Sequence, residues 1–87
     1  MSHAYFEKAA SEAKKLKTQP NREEVNELYG LYKQATNGDL ESERPGILDI
    51  LGRRKWDSWM GKKGLSKEEA MAAYVELVEK LKRKYGI

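Results

Sequence analysis

Residues 66–85 read SKEEAMAAYVELVEKLKRKY, and this stretch carries the strongest structural signal in the chain. At about 100° per residue, one side of it collects an apolar stripe. The stripe consists of Ala70, Tyr74, Leu77, Val78, Leu81 and Tyr85. Ser66 and Glu69 have the capping-box spacing, in which each side chain bonds the backbone N–H of the other residue. The pattern therefore predicts a helix over about 67–85 with one buried face.

The preceding part of the chain predicts three more helices. Apolar residues at helical spacing indicate a helix over about 3–16. Asn21 begins a second helix with another capping-box spacing, and Gly38 ends it because glycine tolerates the left-handed conformation. Asp49 can cap a third helix over about 50–61. Since no alternating pattern or internal repeat occurs, the predicted fold class is all-α, a four-helix bundle.

A long connection separates the second and third predicted helices. Residues 37–49 show neither helical nor alternating periodicity and contain a Pro45-Gly46 turn signal. Loops of this length in small domains are often functional or cross the fold. The two helices are therefore not expected to form a tight antiparallel hairpin, and they could run in the same direction.

Length and composition limit the class of protein. Eighty-seven residues suffice for one domain, so residues 1–87 are predicted to form a single domain. The chain has no cysteine, and neither a signal peptide nor a membrane-spanning stretch is recognisable, which favours a cytoplasmic location without membrane insertion. With 17 basic and 14 acidic residues the net charge is +3, which gives weak support for an anionic partner.

Enzymatic and metal-binding patterns are mostly missing from the sequence. The single histidine, His3, cannot form a nucleophile pair or a metal site without cysteine or further histidines. The short Gly61-Lys62-Lys63-Gly64 segment lacks the spacing of a phosphate-binding loop. The longest basic clusters, at 53–55 and 82–84, are short and are flanked by apolar residues or acids, which argues against nucleic acid. We therefore predict no enzymatic activity, no metal and no nucleic-acid partner.

Aromatic and lysine residues recur at the edges of the apolar stripes. Tyr29 and Lys33 are one turn apart on a flank of helix 2, Lys55 lies beside Trp56 on helix 3, and Lys14 lies at the edge of helix 1. Together they could bring three ammonium groups and several rings to one opening of the bundle. A ligand suited to that opening would carry clustered phosphates, a planar base and an apolar tail.

Periodicity is equally compatible with a purely structural role for these residues. Tyr74 lies at the centre of its stripe, as a core residue would, and Trp56 and Trp59 also fit a core. Lysines on a flank are ordinarily solvated, with their stems covering apolar surface. From the residues alone, both a ligand site and an ordinary core remain open.

A family resemblance helps to decide between a ligand site and an ordinary core. The segment YGLYKQATNGD at 29–39 resembles the signature of the acyl-CoA-binding proteins, also called the diazepam-binding inhibitor family. The similarity continues through FEKAA at 6–10, ERPG at 43–46, KWD at 55–57 and KYGI at 84–87, so it covers nearly the whole chain.

The resemblance implies an up-down-down-up four-helix bundle that binds fatty acyl-CoA and is not an enzyme. It implies a carrier and pool former for medium- and long-chain acyl-CoA esters, monomeric and without a cofactor. It is also compatible with transient contacts with membranes or with acyl-CoA-using enzymes. The alternative from a different class is a helical protein-interaction module without a small-molecule ligand, or a DNA-binding module similar to an HMG box.

Position by position, the resemblance also implies a set of binding residues. The acyl-CoA site would be formed by Lys14, Tyr29, Tyr32, Lys33, Lys55 and Tyr74. Val25, Leu28 and Arg54 would line the acyl groove. The chain departs from the family pattern at Gln19 and Leu51, where lysine is common, and at Asn26 and Arg54, where relatives carry an apolar and a small residue. These departures leave the preferred acyl length open.

Overall fold

The computed structural model describes residues 3–87, and its regular elements are four α-helices. They are α1 at His3–Ala13, α2 at Arg22–Asn37, α3 at Ile50–Met60 and α4 at Lys67–Tyr85. No strand occurs in this part of the chain, so the predicted all-α class is confirmed. None of these helices is both long enough and apolar enough to cross a membrane.

Local capping explains where three of the helices begin. Asn21 and Glu24 form a complete capping box at α2, and Ser66 and Glu69 form a second one at α4. The Asp49 side chain accepts the backbone N–H of Gly52 at 2.9 Å and so begins α3. These caps satisfy backbone donors that a helix start leaves unpaired.

Helix α1 ends earlier than predicted. It stops at Ala13, whereas periodicity favoured a helix to about residue 16. The backbone N–H of Lys15 bonds the carbonyl of Glu12 at 2.9 Å, a tighter three-residue turn. The chain then turns away because the N–H of Lys17 bonds the carbonyl of Gly86 at 2.9 Å, beyond the end of α4.

Contacts between helices define their relative directions. On α2 and α3, Tyr29 lies by Lys55 and Lys33 lies by Trp59. Glu27, however, pairs with Lys62, just beyond the end of α3, at 2.6 Å. The contacts do not follow one another along both helices, so α2 and α3 cross at an angle where Gly30 meets Ser58. The long loop connects the end of α2 to the start of α3, as expected for the up-down-down-up order.

Helix α4 runs parallel to α1 and antiparallel to α2. Phe6 of α1 packs on Tyr74, and Glu12, further along α1, pairs with Lys82 at 3.0 Å. In contrast, Glu24 at the start of α2 pairs with Lys84 at 2.7 Å, near the end of α4. These directions complete the up-down-down-up bundle.

The core lies mainly between α1, α2 and α4. Its buried side chains are Phe6, Ala9, Leu31, Ala35, Ala70, Met71, Tyr74 and Val78. On α2 the buried face is centred near Leu31, Gln34 and Ala35. Because α2 packs against α4 on one side and α3 on another, Tyr32 lies at the edge of this face.

Helix α3 attaches to the bundle in a different way. None of its eleven residues is fully buried, so Trp56 and Trp59 do not take the core position that periodicity had allowed. Both indole N–H groups instead donate to loop carbonyls, Trp56 to Ser42 at 3.0 Å and Trp59 to Gly38 at 2.8 Å. The tryptophans thus fasten the long loop to α3.

Candidate functional site

A cavity of about 360 Å³ opens between α1, α2 and α4. Its lining consists of Ala10, Ala13, Lys14, Leu28, Tyr29, Tyr32 and Tyr74. Four of the six predicted acyl-CoA-binding residues and one of the predicted groove residues are therefore brought together here. The small side chains of Ala10 and Ala13 leave room for the cavity. The apolar stripe of helix 1 contained both alanines, but sequence reasoning did not assign them to the site.

Tyr32 and Tyr74 form one wall of this cavity and belong to a cluster of three rings that Phe6 completes from behind the lining. Phe6 stacks on Tyr32 with centroids 5.5 Å apart, and Tyr74 meets both rings edge-on at 5.2 and 5.8 Å. Such geometries are favourable because they match the positive edge of one ring to the negative face of another. Tyr32 nevertheless remains 41% exposed, so part of this wall faces solvent.

The phenol of Tyr74 is the buried end of that wall. Burial raises the pKa of Tyr74 to about 12, with a smaller contribution from the nearby Tyr32. The hydroxyl is therefore protonated at neutral pH and can donate a hydrogen bond. Tyr74 belongs to the core and also lines the cavity, so a core position and a place in the candidate site are compatible.

Two predicted lysines lie outside the cavity lining, on the seam between α2 and α3. The Lys55 Nζ lies 5.9 Å from the ring centroid of Tyr29, and the Lys33 Nζ lies 4.9 Å from that of Trp59. An ammonium group is attracted to the electron-rich face of an aromatic ring. The Lys55 ammonium therefore lies beside Tyr29, which lines the cavity, whereas the Lys33 ammonium lies over Trp59 of α3.

Trp59 is the residue on this seam that sequence reasoning did not assign to the site. Its indole N–H is held by the Gly38 carbonyl while its ring lies under the Lys33 ammonium. The orientation of Lys33 thus depends on a tryptophan of another helix. No spacing within α2 indicates this contact, because it joins residues 26 positions apart.

The predicted groove residues are dispersed. Leu28 lines the cavity, but Val25 and Arg54 do not. Val25 is an exposed residue one turn before Tyr29, and Arg54 is half-buried on α3. The structure therefore brings only Leu28 of this group into the cavity itself.

The arrangement suits non-covalent recognition of an amphipathic anion. Rings and aliphatic carbons line the cavity, and the ammonium groups of Lys14 and Lys55 lie at the cavity or beside its Tyr29 wall. Within residues 3–87, no group of three or more histidine, aspartate or glutamate side chains is placed to hold a metal ion. Fold and site together define a small helical ligand-binding domain.

Comparison with known proteins identifies the family. Residues 3–78 match the family model described as acyl CoA binding protein, and the chain therefore belongs to the acyl-CoA-binding protein family. This family binds acyl-CoA without acting as an enzyme, which confirms the resemblance, the acyl-CoA ligand and the non-enzymatic class.

Solved structures support the same assignment. The crystal structure of Oryza sativa acyl-CoA-binding protein 2 is 45% identical, with a TM-score of 0.91 over 94% of this chain and 91% of that one. The Moniliophthora perniciosa protein is 39% identical with a TM-score of 0.90, over 97% and 83% of the two chains. The Babesia bovis protein is 33% identical with a TM-score of 0.78, over 97% of each. The predicted bundle is thereby confirmed.

Proposed function

We propose that this protein binds medium- and long-chain fatty acyl-CoA esters one-to-one and serves as an intracellular carrier and pool former for them. The observation that carries the proposal is the tyrosine-lined cavity with Lys14 in its lining and Lys55 on Tyr29. Such a site offers ring faces to a base, cations to phosphates and carbon surface to a tail.

Roles for individual residues follow from the family resemblance and the geometry together. Tyr29 and Lys33 would meet the adenine and the 3′-phosphate, with Lys55 sharing that phosphate. This requires the Lys33 ammonium to leave the ring of Trp59, and both residues are half-buried. Such a contact is worth about 0.5–1 kcal/mol at exposed sites and about 2 kcal/mol when desolvated. Lys14 would lie by the remaining phosphates, and the Tyr74 and Tyr32 side chains would close the pocket.

The acyl chain would extend along Leu28 toward Val25 and Arg54. Each methylene removed from water contributes about 0.8 kcal/mol, so affinity should rise with chain length until the groove is filled. The exposure of Val25 supports this path, because a tail that covered Val25 would remove apolar surface from water. We further propose that residues 1–87 act as one domain, as a monomer, in the cytoplasm.

The proposal is tested by isothermal titration calorimetry of the delipidated protein. Palmitoyl-CoA should bind tightly with one-to-one stoichiometry, and CoA or palmitate alone should bind much more weakly. Lys33→Ala and Lys55→Ala should each weaken palmitoyl-CoA binding by about 10- to 100-fold, because each removes a charged hydrogen-bond donor worth about 1.5–3 kcal/mol.

Lys8→Ala is the matched control, since Lys8 is an exposed lysine of α1 that does not line the cavity. The Lys8→Ala variant should bind palmitoyl-CoA with the same affinity as the wild type. Equal affinities of all three lysine variants would contradict the assigned residue roles. Failure of the folded wild type to bind palmitoyl-CoA would instead favour a helical protein-interaction module.

A further inference from the structure

A separate cavity of about 510 Å³ is lined by residues from the beginnings of α1 and α4 and from the end of α2. Phe6, Ala35 and Met71 belong to its lining and are all buried, so its floor is apolar. Ligand cavities in proteins typically have volumes of about 300–1,000 Å³ and apolar linings with a few polar groups. We call this the Met71 cavity, and it has the size and the floor of a small-molecule site.

Tyr32 lies between the Met71 cavity and the candidate acyl-CoA cavity. Among the described lining residues, only Tyr32 lines both cavities, and Phe6, on which it stacks, lines only the Met71 cavity. Lys14 and Tyr29, in contrast, line only the candidate acyl-CoA cavity. The two cavities are therefore distinct, and the lysines assigned to acyl-CoA take no part in the Met71 cavity.

The ionisable side chains of the Met71 cavity lie at its rim and carry excess negative charge. The carboxylates of Glu7 and Glu68 are exposed, and within residues 3–87 neither forms an ion pair. The rim also includes the Lys67 ammonium and the His3 imidazole. An ordinary histidine is neutral at about pH 8. Two carboxylates and one ammonium group then leave one excess negative charge.

Lys67 does not neutralise either carboxylate. Its Cε lies beside Gly38 at the end of α2, where a Cβ placed on Gly38 would come within 3.5 Å of it. The remaining polar lining residue, Thr36, donates its hydroxyl to the Tyr32 carbonyl at 2.9 Å. Helix ends do not decide the sign of the charge, because two helix starts and one helix end border the cavity and their partial charges oppose each other.

We propose that the Met71 cavity binds a small amphipathic amine, with an aromatic body and one ammonium group. The body would pack on Phe6, Tyr32 and Met71, because aromatic rings and thioethers make favourable contacts with aromatic ligands. The ammonium group would lie at the rim near Glu7 and Glu68, where opposite charges attract it. An anion such as a fatty acid would meet the same two carboxylates and be repelled.

The probe for this proposal is tryptamine, followed by two-dimensional NMR of the isotope-labelled protein at about pH 8 without acyl-CoA. Tryptamine should bind with a dissociation constant of about 0.1–1 mM, as expected for a ligand of this size. It should shift the amide signals of Ala35 and Met71 more than that of Lys14. Indole-3-acetate, which carries a carboxylate instead of the ammonium group, should bind about tenfold more weakly.

Variants of the rim test the role of its charges. Glu7→Gln/Glu68→Gln should weaken tryptamine binding about three- to tenfold, since exposed ion pairs are individually weak. Lys67→Gln should strengthen binding about twofold, because it removes the competing cation. Glu23→Gln/Glu76→Gln is the matched control, because it removes two exposed acids that do not line the cavity, and it should leave the affinity unchanged. Circular dichroism should show that all three variants remain folded.

Palmitoyl-CoA tests whether the two cavities are occupied independently. Tryptamine should still bind the protein when palmitoyl-CoA is present in excess, with the same amide signals shifted. Displacement of tryptamine by palmitoyl-CoA would overturn the proposal, because the amine would then occupy the candidate acyl-CoA cavity. If the wild type binds no palmitoyl-CoA, the proposed function fails, whereas the tryptamine titration still decides the present proposal.

Three further results would overturn the proposal. The first is a lack of saturable tryptamine binding to the folded wild type. The second is equal affinity for tryptamine and indole-3-acetate, and the third is an equal loss of tryptamine binding in the rim and control double variants.

Discussion

At the level of single residues, Glu24 joins the beginning of α2 to the end of α4. Its carboxylate accepts hydrogen bonds from the Lys84 ammonium at 2.7 Å, from the Tyr85 hydroxyl and from the Asn21 backbone N–H at 2.9 Å. These bonds favour the charged form and lower the pKa of Glu24 from 4.5 to about 2, with Lys84 the largest cause.

A lowered pKa makes the contribution of Glu24 to stability depend on pH. Because the folded protein holds the charged form, the contribution is complete above about pH 4.5 and is lost as pH falls toward about 2. Glu24→Gln should therefore destabilise the protein at pH 7, and the difference from wild type should shrink to nearly zero at the acid end. Urea unfolding of both proteins from pH 7 to the acid end measures this difference in the free energy of unfolding.

The control for this prediction is Glu23→Gln, an exposed neighbour in the same helical turn. It removes the same charge without disturbing the Glu24 network. A difference between Glu24→Gln and wild type that stays constant from pH 7 to the acid limit would show that the network does not control the carboxylate.

At the level of helices, the close approach of α2 and α3 depends on Gly30. A Cβ placed on Gly30 would overlap the backbone carbonyl of Ser58 on α3. Ser58 belongs to the regular part of α3, so its carbonyl cannot move without moving the helix. The missing side chain at residue 30 thus allows Lys33 and Lys55 to reach the rings across the seam.

Helix propensity and packing predict opposite effects for Gly30→Ala. In an isolated helix the change would stabilise by about 0.5–1 kcal/mol. Here we expect destabilisation by about 1–2 kcal/mol, because overpacking costs about 1–3 kcal/mol and exceeds the propensity gain. Urea unfolding shows whether the free energy of unfolding rises or falls in the variant. The affinity of the variant for palmitoyl-CoA should also fall, because α3 is displaced.

Gly46→Ala is the comparison for that experiment. The added methyl meets no atom within 4 Å, and Gly46 is not among the glycines with positive φ. Its free energy of unfolding should change by no more than about 0.5 kcal/mol. Stabilisation by Gly30→Ala would show that α3 can move away from α2 at little cost.

At the level of the whole molecule, the four helices differ in how extensively they pack against the rest of the protein. The backbone of α3 approaches that of α2 and of no other helix within residues 3–87, whereas α4 packs against both α1 and α2. Leu81, Val78 and Ala70 of α4 are fully buried, and α3 has no buried residue. Local opening should therefore require the least free energy at α3.

This difference predicts the pattern of backbone hydrogen exchange. Amides of α3 should exchange faster than those of α4, and palmitoyl-CoA should increase protection more in α3 than in α4. The second expectation rests on the proposed function, because the ligand would join Lys55 of α3 to the Lys14 and Tyr29 side of the cavity. Hydrogen exchange with mass spectrometry tests both. Uniform protection of all four helices would contradict the first expectation.

Much of the fold could be predicted from local patterns. The bounds of α4 and the caps Asn21, Asp49 and Ser66 were all predicted, because capping and periodicity involve residues within a few positions of each other. The end of α1 could not be predicted in this way, because the chain after it is held by a hydrogen bond from the Lys17 N–H to the distant Gly86 carbonyl. Gln34, fully buried while donating to Asp39 and the Leu65 carbonyl, likewise has the appearance of a surface residue in sequence.

Some features of the candidate site could likewise be predicted from the sequence, and others could not. Residue types and their spacing on single helices were sufficient to single out Tyr29, Lys33 and Lys55, and the family resemblance added Tyr32 and the site role of Tyr74. That Tyr29 and Tyr74 share one cavity, that Lys33 rests on Trp59, and that Val25 and Arg54 lie outside the lining all depend on how separate helices pack. Periodicity describes one helix at a time, whereas a cavity is formed by the surfaces that several helices leave between them.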